Sequence, residues 1–115
     1  MSLTIYHNPR CSKSRQTLAL IKEAGIEPKL VLYLENTLSA SEIRELLSRL
    51  GFNSARDLMR RGEKDYKALD LKNEQDEDAL IQAMVSHPKL IERPIVDDGR
   101  RAVLGRPPEN VHKLL

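Results

Sequence analysis

A single cysteine, Cys11, serves the whole chain, so no disulfide can close within it. Histidine is almost as scarce. His7, His87 and His112 lie far apart without the spacing of a metal-ligand set, and no metal is expected. Tryptophan is absent and phenylalanine occurs once, which leaves the core to aliphatic side chains. Charge of one sign is not in excess: the net charge is +2, and the arginines are not interleaved with aromatic residues that would stack on bases. Nucleic acid is therefore not expected as a partner. No apolar run approaches the roughly 20 residues of a bilayer span. Nor does the N-terminus carry a basic segment followed by an apolar stretch and a cleavage site. Neither membrane insertion nor secretion is signalled, and the cytoplasm is the expected compartment.

What is present describes an ordinary globular protein, with 40% hydrophobic and 31% charged residues. The 115 residues suit one domain, expected to span 1–115, since no repeat, low-complexity segment or linker divides them. Thr4-Ile5-Tyr6 reads as a short strand. Residues 12–24 carry Leu18, Ile21 and Ala24 at helical spacing, with Gly25 placed to cap the helix in a left-handed conformation. The run KLVLYL, 29–34, reads as a buried strand, which completes a βαβ unit.

A helical middle follows. Ser39 and Glu42 form a capping box ahead of Ile43, Leu46, Leu47 and Leu50, and Gly51 stops the stripe. Asn53 or Ser54 can cap a short segment running to Arg60 or Arg61. Beyond it, GEKDYKALDLKNEQ reads as loop with a turn of helix near Tyr66 to Leu69. DEDALIQAMVSHP has acids in its first turn, Leu80, Ala83 and Met84 on one face, and Pro88 at its end. Then PIVDDGRRAVLG reads as two strands about a tight Asp98-Gly99 turn, and Pro107, Pro108 and Glu109 start a last helix with Val111, Leu114 and Leu115 on its apolar side. The fold class is α/β: a βαβ unit, a helical insertion, a β-hairpin and a C-terminal helix.

Cys11 falls at the start of the first helix. Unpaired backbone N–H groups and the positive end of the helix dipole favour a thiolate there, and the thiolate is the nucleophile. Arg10, Ser12, Lys13, Ser14 and Arg15 suggest an exposed, polar setting, and His7 is near enough in sequence to tune the same charge. The plain alternative is a small hydrophobe at a turn. Ser14 stands where a Cys-x-x-Cys oxidoreductase would carry its second thiol, so a redox cycle on Cys11 must finish with an external thiol through a mixed disulfide. Ser14 either donates a hydrogen bond to the thiolate or substrate, or simply caps the helix.

Three arginines occupy restricted positions: Arg60 near a helix end, Arg93 before Pro94 and Arg106 before Pro107. A residue before proline is driven toward extended backbone, which fixes where its side chain starts. Guanidinium groups fork onto oxyanions. A thiolate held about 4 Å from a unit negative charge is opposed by about 4 kcal/mol at an effective dielectric near 20, and neighbouring arginines offset that repulsion. These features together suggest thiolate attack on an oxyanion. Solvated or helix-pairing arginines are the bland reading.

YHNPRCSKSR, LYLE, ARDLMRR, LIERPIV and LGRPPE, taken in order, resemble the glutaredoxin-coupled arsenate reductase family, a branch of the thioredoxin/glutaredoxin-like fold, nearly end to end. The likeness is greatest to arsenate-reductase-like proteins encoded outside resistance operons. It implies a four-stranded mixed sheet, with Cys11 as the nucleophile that forms a thiol-arsenate adduct. Arg60, Arg93 and Arg106 would bind the oxyanion, His7 would help depress the thiol pKa, and Ser14 and Arg15 would line the active-site loop. Glutathione would be co-substrate, with no bound cofactor, arsenite would leave, and glutaredoxin would reduce the mixed disulfide. The resemblance also places a cis peptide at Pro94. Two departures stand out, because Arg10 is a large cation where these reductases carry a small residue, and Ser12-Lys13 replaces a smaller pair. Alternatives of the same chemistry are action on glutathione mixed disulfides or on another oxyanion. A non-enzymatic regulatory binding module is the alternative of a different class; relatives that bind RNA polymerase carry Cys-x-x-Cys instead.

Overall fold

Alternation of apolar and polar residues at Leu3-Thr4-Ile5-Tyr6 turns one face of the first strand, β1 (Thr4–Tyr6), inward. The computed structural model describes residues 2–115. Two compact units divide the chain: one holds residues up to Asn36 together with Arg93–Leu115, the other Thr37–Glu92.

In the first unit, β1 leads through helix α1 (Ser12–Glu23) to β2 (Lys29–Val31), which pairs parallel to it; β3 (Ile95–Asp97) pairs antiparallel on the other side and carries β4 (Ala102–Leu104) antiparallel beyond. The order β2-β1-β3-β4 is a four-stranded mixed sheet, and the fold is thioredoxin-like. Register puts Leu30, Ile5, Val96 and Val103 in one row across it. Ile5 and Val96 pack with Leu3, Ile21 of α1, and Val111 and Leu114 of the last segment in one aliphatic cluster. Each such side chain contributes roughly 1.5–3 kcal/mol on burial.

Two expectations need correction here. KLVLYL is not a buried strand throughout: the ladder ends at Val31, and Leu30 stays 47% exposed because β2 is an edge with a partner on one side only. The last helix is a 3-10 segment, Pro108–Leu114, whose three-residue turn aligns Val111 with Leu114 and leaves Leu115 outside. Gly25 caps α1 at φ 82°, as its place in the sequence suggested. The hairpin turn is held by the Asp98 carboxylate, which accepts the N–H groups of Arg100 and Arg101 at 2.8 Å each.

In the second unit, α2 (Ala40–Leu50) opens with the full capping box, Glu42 N–H to Ser39 Oγ at 3.1 Å and Ser39 N–H to Glu42 Oε1 at 3.0 Å, and ends at Gly51 with φ 74°. Ser54 caps a short 3-10 turn, Ala55–Leu58, which stops before Arg60 because Met59 turns extended and bridges to Ile91. Residues 64–73 are more helical than the sequence suggested: α3 (Lys64–Ala68) is followed by a 3-10 turn at Leu71–Asn73. The Arg56 guanidinium organises them, donating to Tyr66 Oη at 2.8 Å, to the Leu71 carbonyl at 2.6 Å and to the Glu74 carbonyl. Helix α4 (Glu77–Ser86) buries Leu80, Ile81 and Met84 behind an Asp76 cap. No helix among the described residues is long and apolar enough to cross a membrane.

Candidate active site

The carboxyl end of β1 delivers the chain to Cys11. His7 N–H donates to the Val31 carbonyl at 2.9 Å, which continues the parallel pairing one residue past the strand. Asn8 then folds the chain, as Asn-Pro pairs do: its side-chain oxygen accepts Arg10 N–H at 3.0 Å, and its carbonyl accepts Cys11 N–H at 3.0 Å. Cys11 is left in extended backbone as the N-cap of α1, with its own carbonyl accepting Arg15 N–H at 3.0 Å.

The thiol is half-buried. Burial pushes its pKa up, but this is outweighed by the backbone N–H of Ser14, by the Arg93 guanidinium through hydrogen bonding and charge, and by the N–H of Lys13; the result lies below the ordinary thiol value. The neutral thiol closes no capping hydrogen bond of ordinary geometry. The same N–H groups therefore act chiefly on the thiolate, whose charge draws them in.

Ser14 was expected among exposed neighbours, yet it is fully buried. Its hydroxyl lies 2.6 Å from His7 Nδ1 and accepts Asn8 N–H at 3.1 Å, so His7, Asn8 and Ser14 form one closed network under the loop. Burial, then the charge of Arg15, pushes the His7 pKa down, which keeps the imidazole neutral near pH 7. Its connection to the site therefore runs through the Ser14 hydroxyl. Arg15 is exposed and donates to the Pro9 carbonyl at 2.9 Å, bracing the loop from outside.

Both Arg-Pro pairs, Arg93-Pro94 and Arg106-Pro107, have cis peptide bonds; the first matches the expectation carried by the resemblance, the second had no such signal. Arg106 donates from Nη1 to the Arg93 carbonyl at 3.1 Å, and Gly105 N–H donates to the Pro94 carbonyl at 2.9 Å. Gly105 is also a close approach. A Cβ there would overlap Thr17 Oγ1 and stand 2.7 Å from Pro94 Cγ, so glycine lets α1 and the Pro94 loop meet. Thr17 is buried, donates to the Lys13 carbonyl at 2.8 Å, and lies against Gly105. Sequence reasoning passed over Asn8, Thr17 and Gly105. The Asn-Pro turn was a usable signal for the first; nothing local marks the other two.

The first unit thus gathers Cys11, His7, Ser14, Arg15, Arg93 and Arg106. Arg60 belongs to the second. There its Nε donates to Glu63 at 3.2 Å and its Nη1 to Glu92 at 2.9 Å, all three side chains being partly exposed. Burial works against the Arg60 charge, but Glu92 and Glu63 more than compensate and raise its pKa. No group of three or more potential metal-ligating side chains occurs among the described residues.

Comparison with known proteins identifies the family of the chain. The chain is 46% identical to an arsenate reductase of Haemophilus influenzae over the full length of both, and 58% identical to the uncharacterized protein YfgD of Escherichia coli over 96% of this chain and 94% of that one. The solved arsenate reductase of Vibrio cholerae superposes with a TM-score of 0.97 at 52% identity, covering 100% of this chain and 98% of its own. A solved putative arsenate reductase of Yersinia pestis gives 0.94 at 55% identity, covering 97% and 99%. The ArsC family pattern spans residues 6–114, from the last residue of β1 to the last turn of the chain, and the protein belongs to the ArsC family.

Proposed function

We propose that this protein reduces arsenate to arsenite with Cys11 as nucleophile, glutathione as co-substrate and glutaredoxin as the partner that regenerates the thiol. The observation that carries the reading is the setting of Cys11: a thiol held below its ordinary pKa by helix-start N–H groups and the Arg93 guanidinium. The names of its relatives point the same way.

In the first step the Cys11 thiolate attacks arsenic, an S–As bond forms, and one arsenate oxygen leaves as water after protonation. Arg93 and Arg106 are paired with the growing charge on the oxyanion, and Arg106 also holds the backbone from which Arg93 extends. Arg60 is assigned as the third oxyanion ligand, which requires its guanidinium to share its contacts with Glu63 and Glu92. Arg15 contributes positive charge at the loop. His7 and Ser14 keep the loop folded and the Ser14 N–H aimed at sulfur. In the second step a glutathione thiolate attacks Cys11 sulfur. The S–As bond breaks with its electron pair left on arsenic, which falls from As(V) to As(III), and the two sulfurs become a mixed disulfide. Glutaredoxin exchanges that disulfide away. We read residues 1–115 as one cytoplasmic catalytic domain.

The test is arsenate-dependent NADPH consumption coupled through glutathione, glutaredoxin and glutathione reductase. Turnover by the native chain, abolished in Cys11→Ser and strongly reduced in Arg93→Ala, is the expected result. Absence of turnover from a Cys11 that still forms a glutathione mixed disulfide would move the assignment to another oxyanion or to glutathione mixed disulfides themselves.

A further inference from the structure

A cavity of about 280 Å³ opens beside the Cys11 loop, just below the usual range for ligand sites. It lies past the carboxyl ends of the parallel strands β1 and β2, the edge of an open α/β sheet where ligands commonly bind. Its walls have a distinct chemistry. Pro9, Leu32 and Leu34 supply apolar surface, while Arg10 and Glu35 supply one positive and one negative group. Both charged residues are exposed, and neither side chain makes an ion pair or hydrogen bond among the described residues. Two opposite charges that decline to pair across a small apolar hollow leave both available to a ligand. Arg10 also precedes Cys11 directly, so its Cα lies about 3.8 Å from that of the nucleophile.

We infer that this cavity is the docking site of the external thiol, and that it selects a small zwitterionic peptide thiol of the glutathione class. Arg10 takes a terminal carboxylate, Glu35 takes the α-ammonium group, and Pro9, Leu32 and Leu34 cover the apolar stem between them. This rests on the reading that an external thiol completes the cycle, and it adds where that thiol is held and what recognises it. A neutral or purely anionic thiol satisfies only part of the site.

The test needs no arsenate. Cys11 thiolate attacks one sulfur of oxidised glutathione, forming the Cys11 mixed disulfide and releasing glutathione thiolate, so the rate is read by intact mass. The same rate is measured with bis(2-hydroxyethyl) disulfide, which is neutral, and the ratio of the two isolates recognition from thiol reactivity. Arg10→Ala and Glu35→Ala are each expected to lower that ratio about tenfold, the loss of one charge-assisted contact. Lys22→Ala, an exposed charge at the far end of α1, should leave it unchanged. Glu35→Ala is decisive: oxidised glutathione is a net anion, so long-range charge alone would make this variant faster, whereas the docking site makes it slower. A ratio unchanged or raised in Glu35→Ala overturns the inference even if arsenate reduction stands. Failure of arsenate reduction with the ratio still falling overturns the substrate and keeps the docking site, and a Cys11 inert to both disulfides overturns both.

Discussion

The unit that carries Cys11 and the unit formed by Thr37–Glu92 differ in what they bury. His7, Asn8, Ser14, Thr17 and Asp97, the polar side chains buried among the described residues, all belong to the first. The second buries Ile43, Leu46, Leu58, Leu80, Met84 and Leu90, and keeps its polar groups at the margins as caps and clamps, such as Ser39 with Glu42 and Ser54 with Glu77. Burying a polar group is unfavourable unless it is hydrogen-bonded. The first unit meets that condition by pairing His7, Asn8 and Ser14 with one another under the Cys11 loop, Thr17 with the Lys13 carbonyl of α1, and Asp97 with the Gly99 N–H of the hairpin. An aliphatic interior would be simpler to stabilise, but it would not hold N–H groups aimed at a sulfur.

The sharpest way to break this contrast is to damage the aliphatic interior and watch the thiol. Leu80→Ala removes a fully buried side chain from α4 and is expected to cost about 2–5 kcal/mol, read from the urea midpoint. The pH profile of Cys11 alkylation in the folded variant should stay where it was. A displaced profile would mean that the second unit's packing sets the thiol's environment, and the contrast would fail.

Ser14→Ala is the smaller and more selective cut. It leaves the His7 ring nitrogen and the Asn8 N–H without their common partner inside the protein, for which about 1–3 kcal/mol is expected. Unlike Leu80→Ala, it should also slow alkylation of Cys11 at fixed pH, because the loop loses the bonds that fix it. Loss of stability with an unchanged alkylation rate would reduce Ser14 to a packing residue.

The same division explains what could be read in the sequence. Features fixed by neighbours in the chain were legible: the Ser39 and Glu42 box, the Gly25 and Gly51 caps, the helix start at Cys11 and the strands of the hairpin. Features fixed across the chain were not. KLVLYL looks like core by composition, and only its place at the sheet edge leaves Leu30 in water. Ser14, set among Lys13 and Arg15, looks exposed until His7 folds over it. Arg60 reads as a cation available to a ligand, whereas Glu92, 32 residues away, is already on its guanidinium. Cys11 and Arg93 were both singled out, but that the Arg93 guanidinium acts on the Cys11 sulfur follows only from the fold.

That last contact gives the finest probe of the polar interior. Cys11 is an acid whose pKa is lowered in the folded chain, so the thiolate adds stability that is fully present above the unfolded thiol pKa of about 8.5 and is lost as pH falls through the folded value. Between those two values stability should rise with pH. Removing the guanidinium in Arg93→Ala takes away a hydrogen bond and a charge while leaving the Ser14 and Lys13 N–H groups in place. The midpoint of iodoacetamide alkylation against pH is therefore expected to move up, and the rise in stability across the window should shrink with it. A midpoint that does not move would assign the whole effect to the helix start, and Arg93 would then serve the oxyanion alone.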